Sequence, residues 1–268
     1  MEWNSMLERL EKIQRNSPSK IFTMYLNTDP SDPEQQGGEW KIHFKNGMRN
    51  FEQYLEKDNN KEELQHFQLV KQKVEKYIRE YEQHLMRGII LFATADEEIW
   101  FAERVQIRLE TSFSWQETPE LGQLKEMMSQ YPKAGIVLVQ QDEIKIIDTF
   151  LNEIMEKIWY QLDIDTDDWR VKQGPRKAAP TSGAGSSNLQ KEQFAARFKA
   201  NKQRWYKQIA PKIDKLAKNH HWEEIYILGE ADEANEMKAQ MNKNVTALIQ
   251  KNMLDHEETK VLKEVYGS

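Results

Sequence analysis

Gln193 stands in the run Lys191-Glu192-Gln193-Phe194-Ala195-Ala196-Arg197-Phe198, inside the most basic part of this chain. Around it, Lys191, Arg197, Lys199, Lys202, Arg204 and Lys207 alternate with Phe198, Trp205 and Tyr206. Cations in such a row can neutralise phosphates, and an exposed ring can stack on a base. Arg176 and Lys177 add two more cations just upstream. From Arg170 to Lys218 there are thirteen Lys and Arg against two acids, Glu192 and Asp214. That stretch carries +11 in a chain of net charge −6, so the remainder carries −17. Charge segregated in this way is the electrostatic footprint of a phosphate-binding surface. Phe194, Phe198 and Trp205 fall on one helical face, which assigns these rings to the core and leaves the cations for contact.

Two other groups suggest metals and fit them poorly. Asp163, Asp165 and Asp167 have the spacing of a calcium loop, but Asp168 stands where the loop needs glycine and Gly174 where it needs glutamate. An acidic strand exit is the simpler reading. His220 and His221 are adjacent, so their side chains diverge in any regular element, and both are expected at the surface. Gly-rich phosphate loops, nucleophile elbows and His-Glu-x-x-His motifs are missing, so neither a cofactor nor a metal is expected.

With no cysteine, disulfides, thiol nucleophiles and cysteine-ligated zinc are excluded, and the cytoplasm is the expected compartment. A hydrophobic content of 38% against 31% charged residues suits a soluble chain. The longest apolar runs, Gly-Ile-Ile-Leu-Phe-Ala-Thr-Ala and Ala-Gly-Ile-Val-Leu-Val, are too short to cross a bilayer, and no targeting segment opens the sequence.

The elements that must position the basic run read as two α/β units, 1–130 and 131–268. In the first, Trp3, Met6, Leu7, Leu10 and Ile13 form one stripe of a helix over 1–15. Lys-Ile-Phe-Thr-Met-Tyr-Leu-Asn-Thr follows as a strand. Helices are expected over 40–57 and 61–86, with Gly47 counting against the former. Gly-Ile-Ile-Leu-Phe-Ala-Thr is a buried strand, and Ile99–Glu110 supplies one or two more. In the second unit, two apolar strands flank Gln140-Gln141-Asp142-Glu143 as a hairpin. Residues 151–165 fit a strand and a helix equally by periodicity. A Gly/Pro/Ser/Ala-rich flexible basic loop over 174–190 leads into a long helix, which Pro211 is expected to kink or split. Glu-Glu-Ile-Tyr-Ile-Leu-Gly-Glu is a strand, and the tail from about 233 to 265 reads as helix. This order gives an α/β (α+β) chain whose second unit is a mixed sheet covered by helices.

The order of elements, together with Lys191–Phe198, resembles the middle domain of the archaeo-eukaryotic class I release factor superfamily, which includes Pelota-like rescue proteins and bacterial members. That domain runs from a hairpin through a flexible loop ending Gly-Gly-Gln into a helix reading Ser-Ala-x-Arg-Phe. Gln193, Ala195, Arg197 and Phe198 keep that spacing, and Ile225–Asp232, Ile-Tyr-Ile-Leu-Gly-Glu-Ala-Asp, matches the strand that follows. Tyr25–Asp32, Tyr-Leu-Asn-Thr-Asp-Pro-Ser-Asp, is similar to N-terminal segments of the bacterial branch. The resemblance covers about 134–255 well and 1–130 loosely, and it favours a strand over 151–165. Both family glycines are replaced, by Lys191 and Glu192, and the nearest are Gly183 and Gly185. No Asn-Ile-Lys-Ser-type codon-reading motif is found, which argues against codon-specific termination.

What the resemblance implies is a ribosome-associated protein whose partners are the ribosome, its RNA and tRNA or peptidyl-tRNA, with no membrane involved. Gln193 would be the residue that hydrolyses the peptidyl-tRNA ester during ribosome rescue or quality control. Arg176, Lys177, Lys191, Arg197, Lys199, Lys202, Arg204 and Lys207 would contact RNA. Two alternatives stand beside it. One is a non-catalytic factor that occupies the ribosome, as in hibernation, which the glycine loss suggests. The other is an adaptor whose basic segment meets an acidic protein.

Overall fold

The computed structural model describes residues 3–35, 37–58, 60–163, 168–172 and 188–267, with the side chains of 163, 168–172 and 188–200 outside the description. The chain divides into two compact units, Met1–Ser129 and Gln130–Ser268.

The first unit is built from α1 (Trp3–Lys12), β1 (Ile21–Asn27), α2 (Trp40–Lys57), α3 (Lys61–Tyr81), β2 (Gly88–Ala93), β3 (Trp100–Val105), β4 (Ser112–Gln116) and α4 (Gly122–Gln130). Its sheet has the order β3-β2-β1-β4, antiparallel throughout. Alternation along the strands sends Phe22, Met24, Leu26, Ile89 and Leu91 to one face. There they meet Phe44, Met48 and Leu55 of α2 and Phe67, Val70 and Val74 of α3, spaced three and four apart as one helical stripe. Each such side chain, fully withdrawn from water, contributes about 1.5–3 kcal/mol. The other face carries Tyr25, Phe92 and Phe101, and Trp3 of α1 meets Phe101 edge-on at 5.1 Å. Gly47 does not break α2. A Cβ there would meet the Phe113 ring at 2.7 Å, so glycine is what lets this helix lie on β4. β4 and α4 were not foreseen from the sequence, because Ser-Phe-Ser-Trp-Gln is too polar and Gly122–Gln130 too short for a clear period.

The second unit contains β5 (Ala134–Val139), β6 (Glu143–Phe150), β7 (Glu153–Asp163), β8 (Asp168–Lys172), α5 (Asn188–Asn219), β9 (Glu224–Leu228), α6 (Ala231–Gln240), β10 (Ala247–Ile249) and α7 (Glu258–Tyr266). The sheet order is β10-β9-β5-β6-β7-β8. β9 runs parallel to both β10 and β5, and the other pairs are antiparallel. This is the expected mixed sheet, with helices on both faces. Val137, Val139, Ile144 and Ile146 pack beneath α5 and α6, whereas Ile136, Leu138 and Ile147 pack against α7. β5 is therefore apolar at every position, the pattern of a strand covered on both sides.

The ambiguous segment 151–165 is strand from Glu153 to Asp163. Its periodicity misled because Met155 is the extra residue of a bulge: Asp148 faces Glu156 and Thr149 faces Ile154. Ile154 thereby joins the α7 face, while Ile158, Tyr160 and Leu162 join the α5 face. The turn between β6 and β7 also hides its type, since Leu151 and Asn152 take the left-handed φ values of 51° and 60° that usually call for Asn-Gly. Two expectations are corrected. The tail is not one helix; β10 intervenes and pairs with β9, because the Val245–Ile249 run is apolar enough to add a strand. Pro211 does not split α5, which runs through it. Proline removes the donor that the Lys207 carbonyl would normally accept, but both residues face solvent, where water can replace it.

α7 is fixed to the sheet by charge as well as by packing. Lys145, 3% exposed, reaches Glu258 at 2.6 Å, and Lys157 lies 3.4 Å from the same carboxylate. Burial alone would raise the Glu258 pKa, but hydrogen bonds from Lys145 and the Glu258 backbone, with the two lysine charges, lower it from 4.5 to about 2. A folded-state pKa below the unfolded one gives stability that is complete above the unfolded value and is lost as pH falls through the folded value. We expect NMR titration to give Glu258 an apparent pKa well below 4.5. Lys145→Met should return it upward and remove the corresponding acid-dependent part of the melting temperature between about pH 4.5 and 2.

Candidate nucleic-acid interface

α5 is 32 residues long and positions the basic run. Its described half is amphipathic for a simple reason. Trp205, Ile209, Ile213 and Ala217 recur every four residues and lie at 0–3% exposure in the core, joined by Tyr206 and Ala210. Trp205 is in the core, as its helical face predicts, and so is Tyr206, which that face does not include; the Tyr206 hydroxyl donates to the Gln140 carbonyl at 2.9 Å. Burial, followed by the nearby Glu233, Glu236 and Asp142 charges, raises the Tyr206 pKa, so this hydroxyl stays a donor. The far end of α5 is clamped by Asp148, which accepts Trp222 Nε1 at 2.6 Å and lies 2.6 Å from His220 Nδ1. Hence His220 is not the free surface residue expected of it; His221 is exposed.

On the opposite side of α5, Arg204, Lys207, Lys215 and Lys218 are exposed and form no ion pair among the described residues. Their spacings, with Pro211 between, follow steps of three and four, so the helix puts them in one row. Asp214 does not neutralise that row. Its carboxylate accepts from the backbone N–H groups of Asn242 and Lys243, at 2.9 and 3.0 Å, and so caps the turn after α6. Carried back along the sequence, the same steps pass Ala200 to reach Arg197 and Gln193.

Lys202 is a correction. It was expected among the phosphate contacts, but it is 7% exposed, with Nζ 3.0 Å from Glu236 and 3.5 Å from Glu233 of α6. Its place two residues before Arg204 turns it toward the core side, where a cation must be paired to be tolerated. Arg176 and Lys177 lie outside the described residues. Lys191, Gln193, Arg197 and Lys199 belong to α5, with side chains outside the description. The helix begins at Asn188, so Gln193 is its sixth residue and not the last residue of a loop. Asp165 and Asp167 also lie outside the described residues. Near the carboxyl ends of β5 and β9, a cleft of about 210 Å³ is lined by Gln140, Asp142, Glu230, Glu233 and Asn252. Its carboxylates repel phosphate.

A mixed sheet, a hairpin leading toward a long basic helix, and a strand–glycine–helix return define a release-factor-like protein. The model of the bacterial archaeo-eukaryotic release factor family 5 matches residues 132–267, and the chain belongs to that family. An uncharacterised protein of Bacillus subtilis, YocB, is 32% identical over 99% of this chain and 98% of its own length. Among solved structures, the archaeal translation termination factor aRF1 aligns over 99% of this chain and 73% of its own, at 12% identity and a TM-score of 0.34. A second archaeal protein aligns over 97% and 69%, at 11% identity and a TM-score of 0.32. Among the described residues no helix is long and apolar enough to cross a membrane.

Proposed function

We propose that this protein binds the ribosome through the basic face of α5, which meets ribosomal RNA or tRNA, and that it occupies the ribosome without cleaving peptidyl-tRNA. The observation that carries the reading is the row of cations on α5 that form no ion pair among the described residues, set on a chain that is otherwise strongly acidic. Family membership supports a role in translation. Arg204, Lys207, Lys215 and Lys218 supply charge, with Arg197 continuing the row by spacing and Arg176, Lys177, Lys191 and Lys199 adding to the local field. The setting is cytoplasmic.

The non-catalytic part rests on Gln193. Release-factor chemistry needs a backbone N–H held free beside the ester, where it stabilises the charge that develops on oxygen. Only the first four N–H groups of a helix lack an internal partner. Gln193, sixth in α5 and preceded by Lys191 and Glu192, has neither a free N–H of that kind nor glycine's backbone freedom. Glu192 would also bring negative charge toward an oxyanion. The test is a peptidyl-tRNA assay on purified ribosomes. We expect no release above the buffer rate with the native protein, and the same trace with Gln193→Ala. Cleavage by the native protein that Gln193→Ala abolishes would instead establish a hydrolase that acts in rescue or quality control.

A further inference from the structure

We propose that the cleft between α3 and β3 in the first unit binds an unpaired RNA nucleotide, with its base against the Trp100 indole and its phosphate at Lys76. This site is separate from α5 and goes beyond the reading above. The cleft has a volume of about 600 Å³ and is lined by Lys73, Lys76, Tyr77, Tyr81, Glu97 and Trp100, among others. That size lies within the ~300–1,000 Å³ of small-ligand sites. Trp100 is 37% exposed, a large apolar ring left at the surface by a strand that could have buried it. It meets Tyr77 edge-on at 6.2 Å, and Tyr77 meets Tyr81 at 4.7 Å, so the wall of the cleft is an aromatic cluster with one open indole. The Arg104 guanidinium lies over the Tyr81 ring at 4.6 Å and donates to the His84 carbonyl at 2.7 Å, which fixes that end.

Two features select the occupant. β3 is the edge of its sheet, and an edge invites another strand. Here the Tyr77 hydroxyl donates to the Ala102 carbonyl at 3.3 Å, and burial raises the Tyr77 pKa to about 12, so the bond persists at neutral pH. The edge is thereby obstructed, and an extended peptide would lose a ladder bond. Charge narrows the choice further. Lys73 is spent on Glu97 at 2.6 Å, whereas Lys76 is exposed with no ion pair among the described residues. Glu80 also lines the cleft, so a surface dense in phosphate, such as a duplex, is disfavoured. An open indole and a free ammonium lining one cleft suit a single base with its phosphate, as on other stacking platforms.

The test uses the full chain carrying Arg204→Glu, Lys207→Glu and Lys215→Glu, so that binding through α5 is strongly weakened and failure of one site does not mask the other. A fluorescently labelled adenosine hexaribonucleotide is titrated and followed by anisotropy. We expect saturable binding, weakened at least tenfold by Trp100→Ala, mostly retained by Trp100→Phe, and weakened several-fold by Lys76→Glu. A duplex of the same length should bind at least tenfold more weakly than the single strand. Trp100 is exposed at its rim, so circular dichroism should show Trp100→Ala folded, and Lys76→Glu gives an independent reading if it is not. The proposal is overturned if the charge-reversed chain does not bind the hexamer, if Trp100→Ala and Lys76→Glu bind it as well as the parent, or if the duplex binds equally.

Discussion

Arg204→Glu, Lys207→Glu and Lys215→Glu, introduced together, should lower the affinity for ribosomes by roughly 10²–10³-fold at physiological salt. All three side chains are exposed, so the substitutions leave the core of the second unit untouched. Each lost phosphate contact removes about one unit from the slope of log affinity against log salt. The variant should therefore be both weaker and flatter in its salt dependence than the native chain. Lys202→Met is the matching control. Lys202 is already neutralised by Glu233 and Glu236, so removing its charge should leave co-sedimentation unchanged even if it alters the melting temperature. The triple variant changes the net charge by −6 and Lys202→Met by −1, so a loss in log affinity from Lys202→Met of about one sixth of the triple variant's would mean that net charge alone, and not the row on α5, drives binding. A partner that binds independently of RNA and survives high salt would point instead to the adaptor reading.

Gly135→Val should destabilise the second unit by about 2–6 kcal/mol. Gly135 lies in β5 directly across from Asp148 of β6, and the Trp222 ring covers the space where a side chain would project. A larger residue would drive the indole away. Overpacking of this kind costs about 1–3 kcal/mol. Displacing the indole also strips Asp148 of its Nε1 donor, which costs about 1–3 kcal/mol for a polar group held out of water. Against the ~5–15 kcal/mol stability of a typical domain, this is a large fraction. A fall of about 10 °C in the calorimetric transition is expected. Adding Trp222→Ala to Gly135→Val should cost less than the two separate losses together, because the collision is then removed. Simple additivity would show that Trp222 and Gly135 do not interact as described.

The sequence made the elements legible where one physical signal dominated. β1, β2, β5 and β6 are short apolar runs, and α2 and α3 are long amphipathic ones, so their type could be read directly. It failed where two signals overlapped. The bulge at Met155 changed the phase of β7, and a left-handed Leu151-Asn152 turn gave no glycine to mark it. The tail departs from the single helix its pattern predicts because β10 has only three residues and exists through pairing with β9. For the interface, composition exposed the basic segment but not which cations face outward. Lys202 is indistinguishable from Arg204 in a count of charge; only its phase on α5, against the buried Trp205 and Ile209, assigns it to Glu233 and Glu236. Lys215 and Lys218 count toward the basic stretch but lie outside the Lys191–Lys207 run that drew attention, although their spacing continues the row from Arg204.

Where the basic helix goes on the ribosome decides the function. The most direct measurement is cryo-EM of ribosomes purified from cells with this protein bound. We expect density for the second unit with the Arg204–Lys218 face of α5 within contact distance of ribosomal RNA or tRNA phosphates. A bound protein that turns this face to solvent, or that touches the ribosome only through its acidic surfaces, would contradict it.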